Sequence, residues 1–378
     1  MVNVALFFTY RYSLLLWKNS GILDREIEIY SELNKKYGVK FTFVTYGSSE
    51  EIDLVKRYSF IKVLPIYTFI NKSNNEFLNY LKSFLIPFKL RKYLKDVDLI
   101  KQHQLMGSWV SIIQKLLIRK PLILRTGYDM YIFSKKEQKS FLVRCLYFLL
   151  TFFSIKMSDF YTVSSQTDLN ELSKKFNTNK IAIRRNWIKN INIKSNICER
   201  QSKKILSVGR LEKQKNYEYS IKSLKGSGYI LDIVGEGSDK VFLEELARKE
   251  GVNVNFIGVL DNEQLQKTYG DYKYFLLTSF YEGNPKVVIE AMSFGCVVLA
   301  SDTENLREII VDKYNGVLID INHDSKKLVS NLNRLENDED LLTTLSTNSL
   351  RFIEDHYLLS NLVEKEFSDY KKLSRQII

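Results

Sequence analysis

Tyr281-Glu-Gly-Asn-Pro-Lys-Val-Val-Ile-Glu-Ala-Met-Ser-Phe-Gly295 stands between two apolar runs, residues 274–277 and 297–300. The runs read as strands, and the stretch between them as a loop followed by a helix. Asn284 is expected as the N-cap, Pro285 as the first helical residue, and Gly295 as the residue that closes the helix. Strand, Gly-containing loop and helix in series make a parallel sheet, and the free N–H groups at such a helix tip form an anion site. Glu282 and Glu290 flank the tip, one in the loop and one inside the helix. A phosphate held there, beside two carboxylates that accept hydroxyl hydrogen bonds, suits a sugar nucleotide. From spacing alone the same residues also read as an ordinary capped helix with two solvated glutamates.

The alternation extends outward from this stretch. Residues 2–8, 39–45, 99–103, 121–125 and 160–163 read as strands in the first half, and 204–208, 229–234, 254–258 and 317–319 join the two above in the second. Helical patterns lie between them, notably over 21–36 and 108–118. At 378 residues the chain is too long for one ordinary core. The expected architecture is therefore α/β, with two Rossmann-like domains whose parallel sheets face each other across a cleft. The polar, weakly periodic residues 186–203 mark the link. Residues 1–190 then form the first domain, 191–355 the second, and 356–378 a helix packing back on the first. Leu358, Leu359, Leu362, Phe367 and Tyr370 fall near helical spacing in that tail.

Composition narrows the function. Hydrophobic content of 45% with 26% charged residues describes a soluble globular protein. Three scattered cysteines form no disulfide or metal pattern, which fits a reducing cytoplasm. The N-terminus lacks a basic region and a cleavage site, so no signal peptide is read. The apolar run 145–155 has eleven residues between Arg144 and Lys156. A spanning helix needs roughly 17–25, so a buried helix is preferred over one dipping into a bilayer surface. Residues 1–200 hold 33 Lys and Arg against 16 Asp and Glu, a net +17, whereas residues 201–378 hold 23 against 28, a net −5. Such asymmetry points the first half at an anionic ligand or surface. Lys82, Lys89, Arg91, Lys92 and Lys95 are interleaved with Phe84, Leu85, Ile86, Phe88, Tyr93 and Leu94. That segment reads equally as a helix on anionic lipid or as a basic solvated face. No nucleic-acid motif accompanies the charge, so nucleic acid is not an expected partner. Asp96 with Asp98 and Asp338 with Asp340 read as surface charges, so no metal site is expected.

Further motifs precede the opening stretch. Gly209 and Arg210 follow the strand 204–208, and Lys215 and Asn216 begin the next helix. Arg gives a bidentate contact and Lys a point charge, a suitable clamp for a diphosphate. Val234-Gly-Glu-Gly-Ser238 ends a strand in glycines, including Gly235, and Phe256-Ile-Gly258 ends the next. In this order and spacing, Ser-Val-Gly-Arg-Leu, Gln-Lys-Asn, Val-Gly-Glu-Gly, Phe-Ile-Gly and Glu-Gly-Asn-Pro-Lys-Val-Val-Ile-Glu-Ala resemble glycosyltransferase family 4. The resemblance implies a retaining enzyme of the GT-B fold that uses a UDP- or GDP-sugar. It implies that Arg210 and Lys215 bind the donor diphosphate, that Glu282 contacts the donor sugar, and that Glu290 holds the ribose. Backbone amides of Gly283, Asn284, Pro285 and Lys286 would approach sugar and phosphate, with the base held near Ile257 and Gly258.

The first half resembles that family less closely. Ser20-Gly21 is expected in the place of the family's glycine loop, with Gly21 toward the donor phosphate. The histidine that the family often carries after the strand 121–124 is absent, and the sequence reads Arg125-Thr-Gly-Tyr-Asp129. Arg125, Tyr128 and Asp129 become candidates for acceptor or donor-sugar contact. His103, at the end of another strand, reads equally as a catalytic or a packed histidine. The resulting expectation is transfer of a sugar from a nucleoside diphosphate sugar to a lipid-linked saccharide acceptor in surface polysaccharide or lipopolysaccharide synthesis. Arg210, Lys215 and the helix tip supply the positive charge, so no cofactor is required. The protein is expected to be cytoplasmic or peripheral on the inner face of the membrane. Rival readings are a sugar-nucleotide epimerase and a basic nucleic-acid-binding protein.

Overall fold

Short runs of Val, Ile, Leu and Phe form the strands of this chain, and amphipathic segments return the chain between them. The computed structural model describes residues 2–191, 196–322 and 326–374. The first part runs β1 (Asn3–Phe7), α1 (Leu14–Asn19), α2 (Leu23–Tyr37), β2 (Lys40–Thr45), α3 (Glu51–Leu54), β3 (Ile61–Pro65), α4 (Glu76–Ser83), α5 (Ile86–Leu90), β4 (Leu99–Gln102), α6 (Ser108–Ile118), β5 (Leu122–Arg125), α7 (Met130–Lys136), α8 (Phe141–Met157), β6 (Phe160–Val163), α9 (Gln166–Phe176) and β7 (Ile181–Ile183). The second part runs β8 (Gln201–Val208), α10 (Tyr217–Ser223), β9 (Ile230–Val234), α11 (Lys240–Glu250), β10 (Val254–Gly258), α12 (Asn262–Tyr269), β11 (Tyr272–Leu277), α13 (Lys286–Ser293), β12 (Val297–Ser301), β13 (Val317–Ile319), α14 (Lys326–Asn337) and α15 (Glu339–Tyr357). A last helix, α16 (Leu359–Ser374), follows.

Two Rossmann-like sheets result. The first has the order β3-β2-β1-β4-β5-β6-β7 and the second β10-β9-β8-β11-β12-β13. Strand pairings among the described residues are parallel. The chain divides into one unit of Met1–Arg185 with Leu362–Ile378 and a second of Asn186–Asn361. Both crossings differ from the expected boundaries by a few residues. Asn186 bonds to Asn284, and Ile188 bridges to Leu358, so the polar link joins the second unit from its first residue. Tyr357 and Ile353 of α15 pack in that unit's core, which carries it past residue 355. Residues 192–195 of the expected link and 375–378 of the expected tail lie outside the described residues.

From Leu362 onward α16 belongs to the first unit. Its Glu366 Oε2 accepts from Lys101 Nζ at 2.6 Å, and Phe367 stacks on Tyr37 at 3.8 Å. Asp369 pairs with Arg184, and Tyr370 OH lies 3.2 Å from Lys101 Nζ. Lys101 and Glu366 are both almost wholly buried. Burial alone raises the Glu366 carboxyl, but the Lys101 ammonium holds it below the usual range; burial pulls Lys101 down.

Two expectations about helices change. Ser13 caps a helix that the sequence pattern did not separate, α1, its hydroxyl accepting from Leu16 N. Gly21 therefore does not follow β1 but forms the left-handed turn (φ +68°) between α1 and α2. The run 145–155 is helical within α8, yet it is not a buried helix. Leu146, Leu149 and Phe153 are exposed, and the buried positions are Thr151, Ser154 and Ile155. In residues 82–95, Ile86, Leu90 and Leu94 are buried, while Leu85, Phe88 and Tyr93 are exposed beside Lys89, Arg91, Lys92 and Lys95. No helix among the described residues is long and apolar enough to cross a membrane.

Candidate functional site

In a doubly wound sheet the loops leaving two neighbouring strands diverge where the strand order reverses, and ligands enter at that point. The second unit reverses between β8 and β11. The loop leaving β8 carries Gly209, Arg210 and the short turn Lys213–Lys215, and the loop leaving β11 carries residues 278–285. Hydrogen bonds lace the two together. Phe280 N donates to Gln214 O at 3.0 Å, Gln214 Nε2 to Tyr281 O at 3.0 Å, and Thr278 Oγ1 to Asn216 O at 3.0 Å. Lys215 Nζ meets Glu282 Oε1 at 2.6 Å, with both side chains largely buried. Its stem crosses Gly209, where an added Cβ stands 3.2 Å from Lys215 Cε and 3.1 Å from Tyr217 OH. Burial pushes the Tyr217 hydroxyl above its usual range, and the nearby Glu282 charge adds to that. Sequence reasoning placed Lys215 and Glu282 at one ligand, and here they bond to each other.

The ends of β8, β9 and β10 form a backbone shelf beside the pair. Gly209 N donates to Val234 O at 3.0 Å and Gly235 N to Gly258 O at 2.8 Å. Gly235 has φ +144°, and a Cβ there stands 2.0 Å from Gly209 O. No side chain fits that position, and the clash is with backbone that cannot swing aside. Gly235→Ala is therefore expected to lower the urea unfolding midpoint, by about 3 kcal/mol or more in stability. An unchanged midpoint would show that the shelf relaxes freely. Gly258 is left-handed at φ +83°, and Ile257 beside it is half exposed. Arg210 is exposed on the same loop and pairs with Glu212 at 2.9 Å.

Helix α13 begins one residue later than expected. Pro285 is the N-cap, with extended backbone (φ −70°, ψ 107°), so Asn284 is not. The side chain of Asn284 is turned to Asn186 instead, whose N–H lies 3.4 Å from Asn284 Oδ1. Asn284 Nδ2 is buried with no partner within the protein. Gly283 and Pro285 are buried, and Lys286 Nζ stands 4.6 Å above the Trp187 ring. Glu290, one turn into α13, accepts from Tyr269 OH at 3.3 Å. Glu282 is 6% and Glu290 9% exposed, so two solvated glutamates on a plain capped helix are not what forms. Gly295, left-handed at φ +75°, follows the helix end as expected.

Three further polar groups escaped the sequence reading. Ser279 Oγ after β11, and Thr303 Oγ1 and Asn305 Nδ2 after β12, are buried without a partner within the protein. A buried donor left unpaired costs about 1–3 kcal/mol, so such groups at strand carboxyl ends are candidates for contact with a ligand. The polar run Ser301-Asp-Thr-Glu-Asn305 directly after an apolar strand was the available signal.

In the first unit the strand order reverses between β1 and β4. His103 sits there, Nδ1 at 3.3 Å from Thr9 Oγ1 and Nε2 at 3.6 Å from Glu26 Oε2, packed against Trp17. Arg125 is the last residue of β5, and Tyr128 is exposed beside Phe133. Asp129 does not point to a ligand. It is fully buried, caps α7 through Tyr131 N and Ile132 N, and accepts from Thr151 and Tyr161. Burial raises its carboxyl to about 6 against those hydrogen bonds. Among the described residues there is no group of three or more His, Cys, Asp or Glu able to hold a metal ion.

Residues 188–352 match the model of the family described as glycosyl transferases group 1. A Methanocaldococcus jannaschii protein described as an uncharacterized glycosyltransferase is 30% identical over 193 residues, 49% of each chain. The Campylobacter jejuni N-acetylgalactosamine-N,N'-diacetylbacillosaminyl-diphospho-undecaprenol 4-alpha-N-acetylgalactosaminyltransferase is 25% identical over 285 residues, 71% of this chain and 75% of that one. The chain spans about half the length of most of the curated relatives it matches. A crystal structure of Anabaena HepE in complex with UDP and glucose superposes with a TM-score of 0.74 at 16% identity, over 99% of this chain and 100% of that one. The fold is the GT-B fold of glycosyltransferases.

Proposed function

We propose that this chain, whose residues 188–352 match the model of the group 1 glycosyl transferases, belongs to that family and moves a sugar from a nucleoside diphosphate sugar to a saccharide acceptor. The observation that carries the reading is the Lys215–Glu282 pair at the strand-order reversal, beside the buried, partnerless Asn284 Nδ2. Lys215 and the exposed Arg210 neutralise charge on the departing diphosphate, and the N-terminal amides of α13 add their dipole. Glu282 turns its carboxylate to a sugar hydroxyl, and Glu290 holds the ribose. The leaving phosphate takes the proton of the acceptor hydroxyl on the same face, so the anomeric configuration is retained and no protein nucleophile is needed. The acceptor is lipid-linked, a reading supported by the diphospho-undecaprenol named for the Campylobacter relative and by the basic first half. The product belongs to surface polysaccharide or lipopolysaccharide synthesis.

A thermal-shift panel of nucleotides and UDP- and GDP-sugars tests the donor, since ligands of the native state raise the melting point. Glu282→Ala is expected to lower turnover about 100-fold with nucleotide affinity nearly unchanged, and Glu290→Ala to weaken nucleotide binding about tenfold or more with a smaller effect on turnover. No stabilisation by any nucleotide would sink the reading, and conversion of the donor without an acceptor would mark an epimerase.

Peripheral membrane attachment through residues 82–95 accompanies this function. Leu85, Phe88 and Tyr93 are exposed between Lys89, Arg91, Lys92 and Lys95, and Phe77, Leu78 and Leu81 of α4 extend the apolar strip. Each basic residue near an anionic surface contributes about 1 kcal/mol, screened by salt. The protein is expected to sediment with anionic vesicles at low salt and to be released at high salt. Remaining in the supernatant at low salt counts against attachment.

A further inference from the structure

Helix α8 turns two hydroxyls inward beside Ile155 and leaves an apolar stripe outside. A helix covering a sheet ordinarily buries its apolar stripe and leaves hydroxyls in water. Here Thr151 and Ser154 face inward, Thr151 Oγ1 donating to Asp129 Oδ2 at 3.3 Å and Ser154 Oγ meeting Ser108 Oγ of α6 at 2.9 Å. Leu142, Leu146, Leu149 and Phe153 recur every three or four residues along the opposite side, and they are 79%, 62%, 49% and 52% exposed. Phe141 extends the stripe at 70% exposure. No acidic residue occurs in α8, and Arg144 and Lys156 are its charges.

The neighbouring helices carry the same character. The crossovers leading to β4, β5 and β6 all advance in one direction along the first sheet, so their right-handedness places α5, α6 and α8 on one face. α6 packs against both α5 and α8. Its exposed Leu116, with Leu85 and Phe88 at α5, adds to the stripe of α8, and Lys89, Arg91, Lys92, Arg119 and Lys120 fringe it. Large apolar side chains exposed together on neighbouring helices and accompanied by basic residues mark an interaction surface.

We infer that the exposed stripe of α8 inserts into the interfacial region of an anionic bilayer and is the principal anchor of the first unit. Insertion places leucine and phenylalanine among acyl chains and the basic fringe among lipid phosphates, as in an interfacial amphipathic helix. A second copy of the chain fits less well, since a two-fold contact sets each basic fringe against its own like charge. The inference rests on the membrane reading above but moves the anchor to a helix that reading does not use. It involves neither donor nor acceptor, so its failure leaves the transferase reading standing.

The test is sedimentation of the full chain with vesicles of equimolar phosphatidylcholine and phosphatidylglycerol, and with phosphatidylcholine alone. Leu142→Gln/Leu146→Gln/Leu149→Gln is expected to weaken partition to the mixed vesicles at least tenfold, more than Lys89→Glu/Lys92→Glu does. Binding equal to that of the parent protein overturns the inference and leaves residues 82–95 as the anchor. Should the triple variant lose its near-UV circular dichroism, Leu146→Trp decides. Its added fluorescence shifts to the blue and is quenched by bromine-labelled lipid if α8 inserts, and stays unquenched if it does not. Self-association of the parent protein that the triple variant abolishes, with no vesicle binding by either, assigns the stripe to a second copy and also overturns the inference.

Discussion

Lys215→Ala is expected to weaken donor binding by one to two orders of magnitude. On the proposed reading the variant loses a charged hydrogen bond to the diphosphate, worth about 1.5–3 kcal/mol. The structure adds a second effect that the sequence did not disclose. Lys215 is the 2.6 Å partner of Glu282, which is itself largely buried, so the variant strands a carboxylate and lowers the melting point as well. A double-mutant cycle separates the two. Lys215→Ala/Glu282→Ala removes the stranded charge and is expected to recover most of the lost melting temperature while donor affinity stays low. If affinity returns together with stability, the pair only holds the two loops in place. Isothermal titration with UDP and GDP at constant salt, alongside thermal melts, measures both quantities.

Glu366→Ala is expected to destabilise the first unit by about 3–5 kcal/mol, because it leaves Lys101 buried without its counter-ion. The second unit holds no part of this pair. The loss therefore appears as an early transition in a denaturant melt followed by both tryptophan fluorescence and proteolysis, with the second transition unmoved. Lys101→Met/Glu366→Leu, of similar volume and no charge, is expected to restore most of the stability. The pH dependence has a definite sign. Lys101 holds the native Glu366 carboxyl below its unfolded value, so its stabilisation is present at neutral pH and is lost as acid is added below the ordinary glutamate range. A single unshifted transition in Glu366→Ala would show that Lys101 discharges at little cost.

The regular part of the fold was legible because strands buried on both faces write continuous apolar runs, as β11 does over Tyr272–Leu277. β3 and β7 were not legible. Both are edges of the seven-stranded sheet, short, and flanked by Lys62, Lys180 and Arg184, features that protect an edge and erase its signature. At the site, backbone positions such as Gly235 and Gly258 were readable, since their positive φ and, at Gly235, the close approach of backbone favour glycine. Pairings were not: Lys215 and Glu282 are 67 residues apart, and the side chain of Asn284 bonds Asn186, 98 residues away, in place of capping α13. The orientation of α8 was misread for a related reason. An apolar run states that residues avoid water, and only the packed structure states which side of the helix the protein itself covers.

The tie between α16 and β4 also bears on how the chain is made. The first unit needs residues from 362 onward, so the whole of the second unit is synthesised while the first is still incomplete. At ribosomal rates that interval is on the order of 10–30 seconds, long compared with the folding of a small domain. The nascent second unit can finish folding during it, whereas Lys101 and the groove that receives Glu366 and Tyr370 stay uncovered until those two residues are made. The first unit's sheet thus matures after the second unit's and is the one of the two more in need of a chaperone's cover. A message cut short between residues 186 and 362 yields a product whose first unit never closes.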